Sequence, residues 1–146
     1  MLEVLTLMGI GFVGTIIWPI SPEASAVFYG SQLGWSALAV GLTVAVAQLP
    51  AYALLYFGGE RLVGRWKWLA RKVSRTKERL DGQVSGSYLV LTGVGAIFGI
   101  PPVIAMCALG SGFEVSARTL MPVVFLGRIV RFSTLAGGGV ALSFWT

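Results

Sequence analysis

Residues 18–23 read WPISPE and break an apolar stretch in which Glu23 is the single charge between Val4 and Gly59. A plain transmembrane helix has no use for Pro19, Pro22 or a carboxylate. Proline lacks a backbone N–H and its ring clashes with the preceding turn, so the pair ends a helix here. The residues before the break, Leu2 to Ile17, would reach about 24 Å as a helix, short of a hydrocarbon core about 30 Å thick. The residues after it, Glu23 to Gly34, would reach about 18 Å. Neither arm crosses alone, and both are too apolar for a loop. The expectation is a re-entrant hairpin that runs to mid-membrane, turns at the prolines and returns to the same face. Ser21 is then an N-cap, Pro22 takes the first helical position, and Glu23 sits at the positive end of the helix dipole.

The composition agrees with a membrane setting. Of 146 residues, 55% are hydrophobic and 12% charged, and the mean hydropathy is +0.81. A soluble domain carries about a quarter charged residues; this chain could not cover its own surface with them. Its glycines, 20 in all, and its five tryptophans suit close helix packing and headgroup anchoring. The stretch from Trp35 to Gly58 carries no charge and is long enough for a full span, with a kink expected at Pro50. Glu3, with no Lys or Arg before Arg61, argues against a cleavable signal peptide, which needs a basic start.

Eight of the eleven basic residues fall between Arg61 and Arg79, among them Arg61, Arg65, Lys67, Arg71, Lys72 and Arg75. Beside a span, such a run marks the cytoplasmic side better than it marks a nucleic-acid site. Leu62, Trp66, Leu69 and Val73 recur at helical spacing within it. That gives an amphipathic helix over residues 60–80, lying on an anionic leaflet.

Beyond it the pattern returns. Tyr88 to Phe98 and Val103 to Phe113 are short apolar arms around the break GIPP at residues 99–102, and Thr119 to Trp145 is long enough to span. Sliding the chain against itself until Pro22 falls on Pro102 also sets Ile20 on Ile100, Gly30-Ser31 on Gly110-Ser111, Ser36-Ala37 on Ser116-Ala117 and Gly58-Gly59 on Gly138-Gly139. One offset, without a gap, serves every landmark. This is an internal repeat. The expected fold is an all-α integral membrane protein, a single membrane domain over residues 1–146. Half 1 is 1–59 and half 2 is 81–146. Each holds a re-entrant hairpin and one full span, and the basic helix joins them. A half with one hairpin and one span crosses once, so the second half runs inverted. Interrupted segments paired in this way point to a transporter's binding site.

Arg128 and Arg131 lie nine and twelve residues after Thr119, near mid-membrane, where an arginine costs about 2.5–3.5 kcal/mol on insertion scales. Three apart, they share a helix face. Under the repeat's offset they take the places of Gln48 and Ala51. The candidate substrate and proton site is therefore Glu23, Arg128, Arg131 and Gln48, with Pro22, Pro101 and Pro102 at the hinges. Its net positive charge suits an anion, most simply a phosphate, with Glu23 taking up and releasing the proton. Glu114 and Arg118 look like an interfacial pair. Cys107 is the only cysteine and histidine is absent, so no disulfide, metal, cofactor or catalytic constellation is expected, and the chain is not expected to be an enzyme.

These segments resemble the DedA superfamily, also called the VTT or SNARE-associated Golgi family. The resemblance runs from PISPEAS (19–25) through YFGGERLVG (56–64) to FGIPPVIAMCALGSGFEVSARTLMPVVFLGRIVRF (98–132), and covers most of the chain. The element at 127–132 is similar to the "GRxxRF" of small members. Family members carry paired re-entrant helices and a hinge acid, here Glu23. Phe98 and Ile104 stand where the usual second hairpin has arginines, and Arg128 with Arg131 are the candidate substitutes. Tyr52 stands near the place of a second acid. The resemblance implies translocation of an anionic lipid, a polyprenyl phosphate or a phospholipid, or proton-coupled transport. It implies a multi-pass protein of the bacterial inner (plasma) membrane, with a homo-oligomer allowed. The alternative is a membrane assembly factor or scaffold acting through residues 61–79.

Overall fold

The computed structural model describes residues 1–16, 22–65, 67, 71, 74–75, 78, 84–100 and 102–143. Among them the chain forms helices and no strand: α1 (Leu2–Ile16), α2 (Pro22–Ser31), α3 (Ala37–Arg65), α4 (Val84–Phe98), α5 (Val103–Gly110) and α6 (Ala117–Ser143). Two stretches are long and apolar enough to cross a membrane, Ala37–Gly59 of α3 and Ala117–Gly138 of α6. α1 and α4 are apolar but shorter.

The helix ends follow local chemistry. α2 starts on Pro22, whose fixed φ suits a first helical residue. α5 differs slightly, because Pro102 is its extended N-cap and Val103 its first residue. Both short helices leave through a left-handed residue, Gly34 at φ 66° and Glu114 at φ 58°. These two occupy matching places under the offset that pairs Pro22 with Pro102. The Ser36 hydroxyl then accepts from the Ala39 N–H to cap α3, and Ser116 bonds the Thr119 hydroxyl at the start of α6.

Gly58-Gly59, read above as the end of the first span, closes the membrane-length stretch Ala37–Gly59 without ending the helix. α3 continues through Pro50 and both glycines to Arg65. The reason lies in packing: a Cβ on Gly59 would strike the carbonyl of Ala108. The glycine is a notch that admits another backbone, not a stop. Arg61 and Arg65 therefore ride on the same helix as the span.

The chain divides into two compact units. Met1–Ala51 with Phe125–Thr146 form one, and Tyr52–Val124 form the other. The core of the first unit holds Leu7, Ala26, Tyr29, Val40, Val44, Phe132 and Ala136. Gly11 lets α1 close on Val44 and Ala47 of α3, Gly41 lets α3 close on Ile129 and Ser133 of α6, and Gly30 brings α2 against Ala136. The Tyr29 hydroxyl donates to the Glu3 carbonyl at 3.3 Å, tying α2 to α1.

The core of the second unit is bulkier and includes Tyr52, Tyr56, Tyr88, Val103, Met106, Cys107, Leu120 and Val124. The Tyr56 hydroxyl donates to the Val115 carbonyl at 2.8 Å, and the Tyr88 hydroxyl donates to the Met106 carbonyl. A buried phenol left without such a partner would be costly. Ala26, Val40, Val44, Phe132 and Ala136 of the first core have counterparts under the repeat's offset in this second core: Met106, Leu120, Val124, Tyr52 and Tyr56.

Candidate functional site

Gln48 has eleven residues of the Ala37–Gly59 span on each side, and Arg128 has eleven before it and ten after it in Ala117–Gly138. The two counterpart positions thus mark the middles of the two long apolar stretches. Both belong to the first unit, as do Pro22, Glu23 and Arg131.

Three packing facts set the geometry. Phe132 is fully buried, which fixes the rotation of α6 and directs its neighbours. The Gly30–Ala136 contact draws α2 against α6, so a short acidic side chain can reach across. Along α2 the residues Pro22, Ala26, Tyr29 and Gly30 are buried, and Glu23 follows at the edge of that stripe. Arg131 Nη2 then donates to Glu23 Oε1 at 3.3 Å, with the arginine 22% exposed and the glutamate 36% exposed. The Glu23 carboxylate also lies in the first turn of α2, where the helix dipole favours negative charge.

Arg128 holds its guanidinium carbon 5.7 Å from the centroid of the Phe132 ring, within range of a cation–π attraction. Gln48 is 2% exposed. The cluster thus joins one carboxylate and two guanidinium groups in a unit that also buries an amide-bearing residue. At the position matching Glu23, the second unit has Val103, buried in its apolar core. At this pair of matching positions only the first unit carries a charge.

The structure brings together Glu23 and Arg131. Pro22 heads α2 as expected. Pro101 and Ser21 lie outside the described residues, and Pro102 belongs to the second unit. Of the basic run, Arg61, Arg65, Lys67, Arg71 and Arg75 are exposed, and Lys72 lies outside the described residues together with Trp66, Leu69 and Val73. Arg71 Nε donates to the Lys67 carbonyl at 3.3 Å, as one helical turn allows. Sequence reasoning misses Phe132 as a partner of Arg128. Its position four residues further along α6 is the signal that could have found it. Among the described residues no three His, Cys, Asp or Glu side chains gather as metal ligands would.

These features define an all-helical protein with two membrane-length apolar helices and a charged cluster at the middle of one. No family model, curated protein or solved structure matches the chain.

Proposed function

We propose that the chain is a DedA/VTT-like multi-pass membrane transporter or lipid translocase of the bacterial inner membrane. It handles a phosphate-bearing anion, a polyprenyl phosphate or a phospholipid, at a mid-membrane site, with protons as coupling ions. The observation that carries this reading is the Glu23–Arg131 pair beside Arg128 at the centre of an apolar stretch. Charges at that depth are expensive and are retained where they serve a pathway. The architecture supports it through the recurring elements. Helices start at Leu2, Pro22 and Ala37, and the same three-helix order starts again at Val84, Val103 and Ala117, with nearly one spacing between each start and its counterpart. Together with the counterpart core positions, this is what an inverted repeat of a hairpin plus a span would produce. The protein is then not an enzyme and needs no cofactor.

The second reading, a scaffold working through the basic run, draws on the exposed Arg61, Arg65, Lys67, Arg71 and Arg75. One experiment separates the two. The protein is reconstituted with a fluorescent polyprenyl phosphate or phospholipid, with and without a pH gradient. Glu23→Gln is compared with a multi-alanine variant of 61–79 at matched expression. Transport lost in Glu23→Gln and retained in the multi-alanine variant supports the central site. Normal transport by Glu23→Gln ends it.

A further inference from the structure

We propose that a phosphate anion and the Glu23 carboxylate compete for Arg131, so that binding one anion makes Glu23 take up one proton. The inference deepens the transport reading above and rests on it.

Three observations lead there. The Arg131–Glu23 contact of 3.3 Å is longer than a tight charge-assisted bond of about 2.7–2.9 Å, so an anion of better geometry can displace the carboxylate. Both partners keep part of their surface open. Arg128 sits three residues away on α6, held over the Phe132 ring, so an anion that meets Arg128 is within reach of Arg131.

Charge decides the rest. With Glu23 ionised, one carboxylate and two guanidinium groups leave a single net positive charge. A monoanion entering alone would change that charge, which a poorly solvated site resists. One proton entering with the anion restores it. The proton comes from hydronium or a buffer acid in the water at the membrane face. The donor's bond to that proton breaks as the O–H bond on the displaced carboxylate forms, and the donor's conjugate base stays in the water.

The groups around Glu23 leave few other candidates for that proton. α1 carries Glu3, whose carbonyl is bonded by Tyr29 at the far end of α2. α6 carries Arg128 and Arg131, and α3 has no titratable side chain between Ala37 and Ala51. Residues 17–21 have none either.

The test uses the full chain in lipid discs of phosphatidylcholine, alone, with phosphatidylglycerol, or with inorganic phosphate added to the water. Phosphatidylglycerol stays a monoanion across the pH range used. Dicyclohexylcarbodiimide, which reacts with protonated carboxyls in apolar surroundings, is read at Glu23 by peptide mass spectrometry. Lipid binding is followed in parallel by native mass spectrometry. Phosphatidylglycerol should raise labelling of Glu23 in the unsubstituted protein, and inorganic phosphate should do so only if the site takes a free anion. Arg131→Gln should label strongly in every disc, and Arg128→Gln should lose the response. By linkage, the binding constant should strengthen as pH falls, by up to about tenfold per unit for one proton taken up with each anion. Arg128-dependent lipid binding that leaves Glu23 labelling and pH dependence unchanged overturns the competition alone. Absence of Arg128-dependent binding overturns the transport reading and the competition with it. Both outcomes are read by comparing the unsubstituted protein with Arg128→Gln, so neither depends on the folding of Arg131→Gln.

Discussion

A Cβ placed on Gly59 would run into the backbone of Ala108, whereas one placed on the neighbouring Gly58 meets nothing within 4 Å. Two adjacent glycines in one helix therefore make opposite predictions. Gly58→Ala removes backbone freedom from the unfolded chain without a clash and should stabilise by roughly 0.5–1 kcal/mol. Gly59→Ala forces α3 away from Ala108 and should destabilise by about 1–3 kcal/mol. Thermal unfolding in a mild detergent reads both, and equal shifts would contradict the packing described for α3. The Glu23–Arg131 pair is legible at this same scale, because a carboxylate and an arginine stranded in apolar segments need each other. How the two arginines of α6 are turned is not legible. Positions 128 and 131 differ by only about 60° around a helix, and the buried Phe132 ring that settles the rotation belongs to tertiary packing.

At the scale of elements, the helix starts are readable in the sequence and the stops are not. Pro22 and Pro102 announce a beginning, since proline suits the first helical position and the residue before it, although α3 also carries Pro50 in its interior. Gly58-Gly59 marks the end of the apolar span but not of its helix, because a glycine that closes a helix and a glycine that admits a neighbour are the same letter in a sequence. The exits of the two short helices show the converse. Gly34 and Glu114 share a left-handed backbone, yet only the first is a residue type that announces it. An L-residue there costs about 1–2 kcal/mol relative to glycine. Glu114→Gly should accordingly raise the unfolding temperature, and Gly34→Ala should lower it by a comparable amount. A Glu114→Gly variant that melts earlier would mean that the carboxylate contributes more than its backbone costs.

At the scale of the whole molecule, the proposed inverted repeat makes a prediction about sides. Ser36 and Ser116 are exposed counterparts at the heads of α3 and α6. In a Cys107→Ala background, Ser36→Cys and Ser116→Cys should react with an impermeant maleimide from opposite faces of the membrane. Reaction from one face would remove the inversion and the transporter reading built on it.

Each compact unit takes part of its core from each half of the chain. Residues 37–51 and 125–143 lie in one unit, while residues 52–65 and 117–124 lie in the other. Neither half owns a complete interior, because Phe132 and Ala136 from the C-terminal half fill a core with Leu7 and Ala26 from the N-terminal half. The peptide link between the halves should then be dispensable for assembly. A chain cut between Arg75 and Val84 and produced as two separate polypeptides should reunite into one protease-resistant particle when both are made together. Either fragment made alone should be degraded, or should borrow the missing helices from a second copy of itself. Fragments that each survive as stable monomers would show that the interleaving of the two halves does not hold the protein together.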